Sequence, residues 1–318
     1  MYLTAIEVEG LRAAPAFVAG DWSREVHPPT GLVGVAVADA LDLLVASLDA
    51  ERTPRVLRRL GLAHRADALD LLEVDHLPEQ LALYDPAASS AFVDLDTTRQ
   101  ATVRVTIAPD PPFYGRLREL AVREPRLVTA LGEDPDITLK AGWIWSHDLS
   151  MVAVGLSEVA VGGVAFPGTG AERPPWLAPL LREIAGRLWR VDPCEPLAEV
   201  TERLYAASVS HDADRRHRYE RAATALAGPP FALGRLAWVR GASGVEPRFG
   251  DALLTARQCG HAAAGALRLV EAVHLRAPDV LIAELPGGAE ARAAWLVAAT
   301  RGDDATLEQV IVIGEGAP

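Results

Sequence analysis

Two short apolar runs near the C-terminal end constrain this chain more than any other feature. DVLIAEL at 279–285 and QVIVIG at 309–314 each read as a buried strand, and the first ends at Pro286. A helical stretch, EARAAWLVAATRG at 290–302, separates them. At the other end MYLTAIEVEGLR alternates as a strand, with Leu3, Ala5 and Ile6 near Val8 and Leu11. After Pro28 and Pro29 comes a glycine turn, then an apolar helix from about Val37 to Leu48. Strand, glycine turn and helix at one end, with two apolar strands at the other, is the ordering of a mixed α/β sheet closed by both termini.

Between these ends, residues 14–26 read as a second strand or a loop, and TPRVLRRLGL at 53–62 as a helix. SAFVDLD, ATVRVTIAPD, ITLKAGWIWSH and SMVAVGLSEVAVGGVAF carry the alternation of strands, making 89–165 rich in β structure. PPFYGRLRELAVREPRLVTALG, at 111–132, reads as a helix with proline early and glycine late. The proline- and glycine-rich FPGTGAERPPW at 166–176 marks a change of character, and helices follow to about residue 228. From Arg248 the chain reads as helix up to the DVLIAEL strand.

Half of the 318 residues are hydrophobic, enough for a substantial core, and no apolar run approaches the ~20 residues that cross a bilayer. The first residues lack the basic segment and apolar core of a secretory signal. Cys194 and Cys259 are too few for a disulfide framework or a metal cluster, so a cytoplasmic location is expected. A net charge of −12 argues against broad contact with nucleic-acid phosphates, whose affinity comes from clustered cations. The arginines are mixed with acids, as in ERTPRVLRRLGLAHRADALDLLE, which reads as a solvated helix face. The single lysine is Lys140.

The glycine turn has the outline of a phosphate-binding loop. Such a loop needs glycines so that backbone N–H groups converge on phosphate oxygens, a lysine for the β and γ phosphates, and a hydroxyl for magnesium. The frame here is GLVGVAVA, with Gly31 and Gly34 kept, Ala36 at the third glycine, Val37 for the lysine and Ala38 for the hydroxyl. Lys140 lies in the strand-like ITLKAGW and offers no substitute.

MYLTAIEVEGLRA, the glycine turn and ADALDLL together resemble the opening of ATP-binding-cassette heads of the RecF, SMC and Rad50 kind. GHAAAGALRLVEAVHLRAPDVLIAELPGG resembles that family's signature helix and Walker B strand, and LEQVIVIGEGAP its last core strand. The resemblance aligns the metal-organising acid with Glu284, the catalytic glutamate with Leu285 and the proline with Pro286. It sets Glu315 near the switch histidine and reduces the signature element to QCGHA at 258–262. It implies a P-loop NTPase fold in one ABC-head-like domain over 1–318. Within that domain, residues 1–170 would hold the glycine turn and an antiparallel β lobe, 171–228 a helical lobe, and 229–318 the Walker-B-like half. No long heptad stretch suggests a coiled-coil arm. With the lysine, hydroxyl and general-base carboxylate all replaced, the resemblance implies a pseudo-ATPase. It assigns no catalytic, cofactor or metal residue and no cofactor. Its expected partner is a protein, an active ABC-type ATPase or a second copy of this chain. The alternatives are an ATPase with an unorthodox site that uses arginine and Glu284, and an unrelated two-lobed α/β enzyme.

Other clusters read structurally. His211, Asp212, Asp214 and His217 in SHDADRRH have metal-binding types, but a polar helix face with i,i+3 pairs between acids and arginines explains them. Trp143 and Trp145, before His147 and Asp148, alternate on a strand and so share one face, as core packing requires. Ser89, Ser90 and Ser150 lack a G-x-S-x-G elbow. His261, near Cys259, sits in an alanine-rich helix whose small residues suit close helix contact.

Overall fold

The computed structural model describes residues 1–11, 14–19, 30–33, 40–41, 44–45, 47–48, 81–83, 100–122, 124–131, 136–146, 151–168, 173–193, 195–241, 244–300 and 307–313. The chain is mixed α/β and forms two compact units, one reaching from Met1 to Leu188 and the other from Trp189 to Ile313. Among the described residues no helix is long and apolar enough to cross a membrane.

In the first unit, strands β1 (Tyr2–Leu11), β2 (Ala14–Ala19), β4 (Leu81–Leu83), β5 (Gln100–Ala108), β6 (Ile137–Ser146), β7 (Met151–Val161) and β8 (Val164–Pro167) form one sheet. Its order is β2-β1-β5-β6-β7-β4, with β8 also on β7, and every pairing is antiparallel. The period-2 pattern sets its faces. Leu3, Ile6, Val8, Val103, Val105, Ile107, Ile137, Leu139, Val159 and Val161 are buried. Most intervening positions are polar, and Glu7, Arg104, Lys140 and Glu158 stand opposite one another across four strands.

The stretch 111–132 forms two helices where one was expected: α1 (Pro111–Ala121) and α2 (Pro125–Ala130). Pro125 disfavours helical geometry at Glu124, which is extended (φ −135°), and so ends one helix and opens the next. Asp110 caps α1 by accepting from the Phe113 N–H at 2.7 Å. The same carboxylate accepts from the Met1 ammonium at 2.7 Å and from Arg187 Nη1 at 3.2 Å, where Arg187 closes helix α3 (Leu177–Arg187).

The second unit opens within β9 (Leu188–Arg190), at Trp189, and continues with helices α4 (Leu197–Ser208) and α5 (Ala213–Ala227). An antiparallel ribbon follows, β10 (Leu236–Gly241), β11 (Gly244–Phe249) and β12 (Leu254–Thr255). This corrects the helix expected from Arg248. Left-handed backbone at Gly250 (φ 65°) and Leu253 (φ 49°) is incompatible with a helix, which starts only at Gly260. Helix α6 (Gly260–Glu271) runs into a π-helical turn (Ala272–Arg276), which ends at left-handed Ala277. Then come β13 (Val280–Glu284), α7 (Ala289–Ala299) and β14 (Gln309–Ile313). β13 and β14 pair in parallel, with Ile282 opposite Ile311. The N–H of Val191, just past β9, donates to the Ile282 carbonyl at 2.8 Å. Every residue of β14 and all of β13 but Glu284 is buried, as the two apolar runs require.

Candidate functional site

A cleft of about 400 Å³ lies at the C-terminal end of β13 in the second unit. The carboxyl ends of parallel strands are where open α/β sheets hold ligands. Glu284 is the last residue of β13 and is exposed, whereas Leu285 is 7% exposed. Pro286 and two glycines lead into α7, with Gly287 at φ 83° in the left-handed region that suits glycine. From α7, Trp295 reaches the cleft and packs edge-on against Phe231, centroids 4.8 Å apart. Val191 and Pro193 line it after β9, and His261 and Arg268 line it from α6.

Arg268 is held in place by donating from Nε (3.0 Å) and Nη2 (2.7 Å) to the Glu195 carbonyl. The Glu195 side chain, 3% exposed, accepts from Arg203 Nη2 at 2.9 Å. Arg203 Nε donates to Glu271 at 2.6 Å, and Arg276 Nε lies 3.3 Å from the same Glu271 oxygen. Burial alone would lower the Arg203 pKa, but the bonds and charges of Glu271 and Glu195 outweigh it and raise the guanidinium above its ordinary value. Arg276 also stacks on Trp189, 4.4 Å from the ring centroid. Nearby in the π-helical turn, His274 is buried and its Nε2 has no partner. Burial, helped by the charge of Arg221, holds its pKa down to about 4, although a hydrogen bond to the Ala299 backbone acts the other way.

The structure brings His261 and Ala262, at the start of α6, into one cleft with Glu284, Leu285 and Pro286 at the end of β13. Gly31 lies within strand β3 (Thr30–Val33), while Gly34 to Ala38 lie outside the described residues. So do Cys194, Ser89, Ser90, His147, Asp148, Ser150 and Glu315, with the helix expected at 53–62 and the strand at 90–96. Lys140 sits on β6 of the first unit, opposite Arg104 and Glu158. Trp143 and Trp145 occupy alternate positions of the same strand. In SHDADRRH, Asp212 caps α5 by accepting from the Asp214 N–H at 3.0 Å, and His217 Nδ1 lies 4.0 Å from Glu220, whereas the expected pairs between acids and arginines do not form at Arg215 or Arg218 among the described residues. Among the described residues no three His, Cys, Asp or Glu side chains gather in a way that could hold a metal. Cys259 is a free thiol, half-buried just before α6.

Sequence reasoning missed the Glu195–Arg203–Glu271–Arg276 network. Its one local signal is Glu271 inside the apolar run LRLVEAV, where a carboxylate at a core position demands a cationic partner. No protein-family model and no curated protein matches the chain.

Proposed function

We propose that this chain is a non-hydrolysing relative of ABC-type ATPase heads. It acts in the cytoplasm by association, as a structural or regulatory subunit that pairs with an active ATPase or with a second copy of itself. The observation that carries this reading is the end of β13. Its last residue is the exposed Glu284, and the next position, where the resembled heads carry a catalytic carboxylate, is the buried Leu285. An isobutyl group can neither orient water nor take its proton. The loop sequence GLVGVAVA adds the loss of the lysine and of the magnesium hydroxyl. The order α6, β13, α7, β14, with the two strands parallel, agrees with a signature helix followed by a Walker B strand and the last core strand. Val191, Leu285, Pro286 and Trp295 give the cleft walls suited to an apolar partner surface.

The test is phosphate release from ATP and magnesium by the purified protein. The expected rate equals the no-protein background and is unchanged in Glu284→Gln. Turnover above background that Glu284→Gln abolishes would overturn the reading in favour of an unorthodox ATPase.

A further inference from the structure

A second cleft in the same unit, of about 330 Å³, collects charge from three elements. Arg203 enters it from α4, Arg215 and Arg218 from α5, and Arg276 from the π-helical turn. The acids lining it are Glu271, Asp212 and Asp214, and Leu275 completes the wall. These charges are not equivalent. Glu271 is 1% exposed and fixes both Arg203 and Arg276. Asp212 is engaged as the cap of α5. Arg215 and Arg218, in contrast, form no ion pair among the described residues, although they stand i,i+3 on one helix face. The result is two guanidiniums anchored by a buried carboxylate and two free ones, facing one cavity in a chain of net charge −12.

We infer that this cleft binds a small phosphomonoester that carries hydroxyl groups. A phosphate group can accept bidentate N–H donation from the unpaired forks of Arg215 and Arg218, which suit its geometry better than a lysine point charge would, and the four lining guanidiniums outnumber the three lining carboxylates by one. The anchored pair supplies donors already fixed in place, so little side-chain freedom is lost on binding. The cavity, at about 330 Å³, is larger than a bare phosphate fills. The exposed Asp214 carboxylate repels phosphate and accepts from hydroxyls, which places the hydroxyl-bearing part of the ligand beside it. This site is separate from the β13 cleft and does not depend on the function proposed above.

Calorimetric titration with ribose 5-phosphate, orthophosphate and sodium sulfate at constant ionic strength tests it. The expected result is one-site binding in which the ester exceeds orthophosphate and sulfate. The doubly substituted Arg215→Ala, Arg218→Ala protein should bind at least about tenfold more weakly, since each charged hydrogen bond is worth roughly that factor. Arg215 is exposed, Arg218 is half-buried, and neither belongs to the buried network; circular dichroism of the double variant verifies that the fold is kept. Absence of ester binding to the wild-type protein, equal binding by the double variant, or affinity no better for the ester than for orthophosphate would overturn the proposal.

Discussion

The two units handle charge in opposite ways. In the antiparallel sheet, charge stays at the surface: Arg104 and Glu7 pair at 3.2 Å with side chains 44% and 43% exposed, and Lys140 and Glu158 extend the row. In the second unit Glu195 and Glu271 are almost wholly buried, joined by Arg203. Asp192, His274, Asp279 and Gln309 are also buried there, whereas among the described residues of the first unit only Ser47 and Asp110 are buried polar groups. Surface ion pairs contribute about 0–1 kcal/mol, while a buried ion costs several kcal/mol to desolvate and is tolerable only when paired. A fold that needed only stability would fill such positions with apolar side chains. The buried network instead fixes Arg203, Arg268 and Arg276 at the walls of two clefts, and that is where function is expected to reside.

Four measurements sharpen this contrast. Arg203→Ala removes the shared partner of two buried carboxylates and should cost about 3–5 kcal/mol in urea unfolding. Next in size is a pH effect from His274, which titrates near 4 when folded against 6.5 for an unperturbed side chain. The unfolded chain binds the extra proton between those values, so stability falls as pH drops through that window, by roughly 3 kcal/mol in all. His274→Leu should flatten this limb of the stability–pH curve even if its absolute stability changes.

Asp110 is the first unit's exception. Burial raises its pKa, but the Met1 ammonium, the Phe113 N–H and Arg187 together bring it below the ordinary value. Its contribution is therefore present above pH 3.8 and lost as pH falls through its folded value, below the His274 window. Asp110→Ala should cost about 2 kcal/mol at neutral pH, from a lost cap and orphaned donors. Smallest of all, Glu7→Ala should change stability by less than about 1 kcal/mol and lose even that at high salt. A Glu7 effect as large as that of Arg203 would erase the distinction between the two units.

What the sequence discloses follows the range of the forces involved. β1, β5 and β6 announce themselves by alternation, and β13 and β14 by unbroken apolar runs, because burial acts residue by residue. Pro125, passed over when 111–132 was read as one helix, outweighs the helical pattern around it. The ribbon over 236–255 was read in part as helix because its left-handed residues include Leu253, which advertises no such geometry. The Glu284–Leu285–Pro286 end of the cleft was legible in chain order. Trp295 and Arg268 were not, since their place depends on how α6, α7 and the segment before α4 meet. The arginine cleft depends on the same long-range packing, with Arg203 and Glu271 68 residues apart in sequence.

The central claim is that the chain cannot hold a triphosphate as an active head does. Isothermal titration of the full chain with ATP and magnesium tests it most directly. The account predicts a Kd weaker than about 1 mM, under ~4 kcal/mol of binding free energy. A one-to-one isotherm with micromolar affinity, retained in the Arg215→Ala, Arg218→Ala protein, would contradict it.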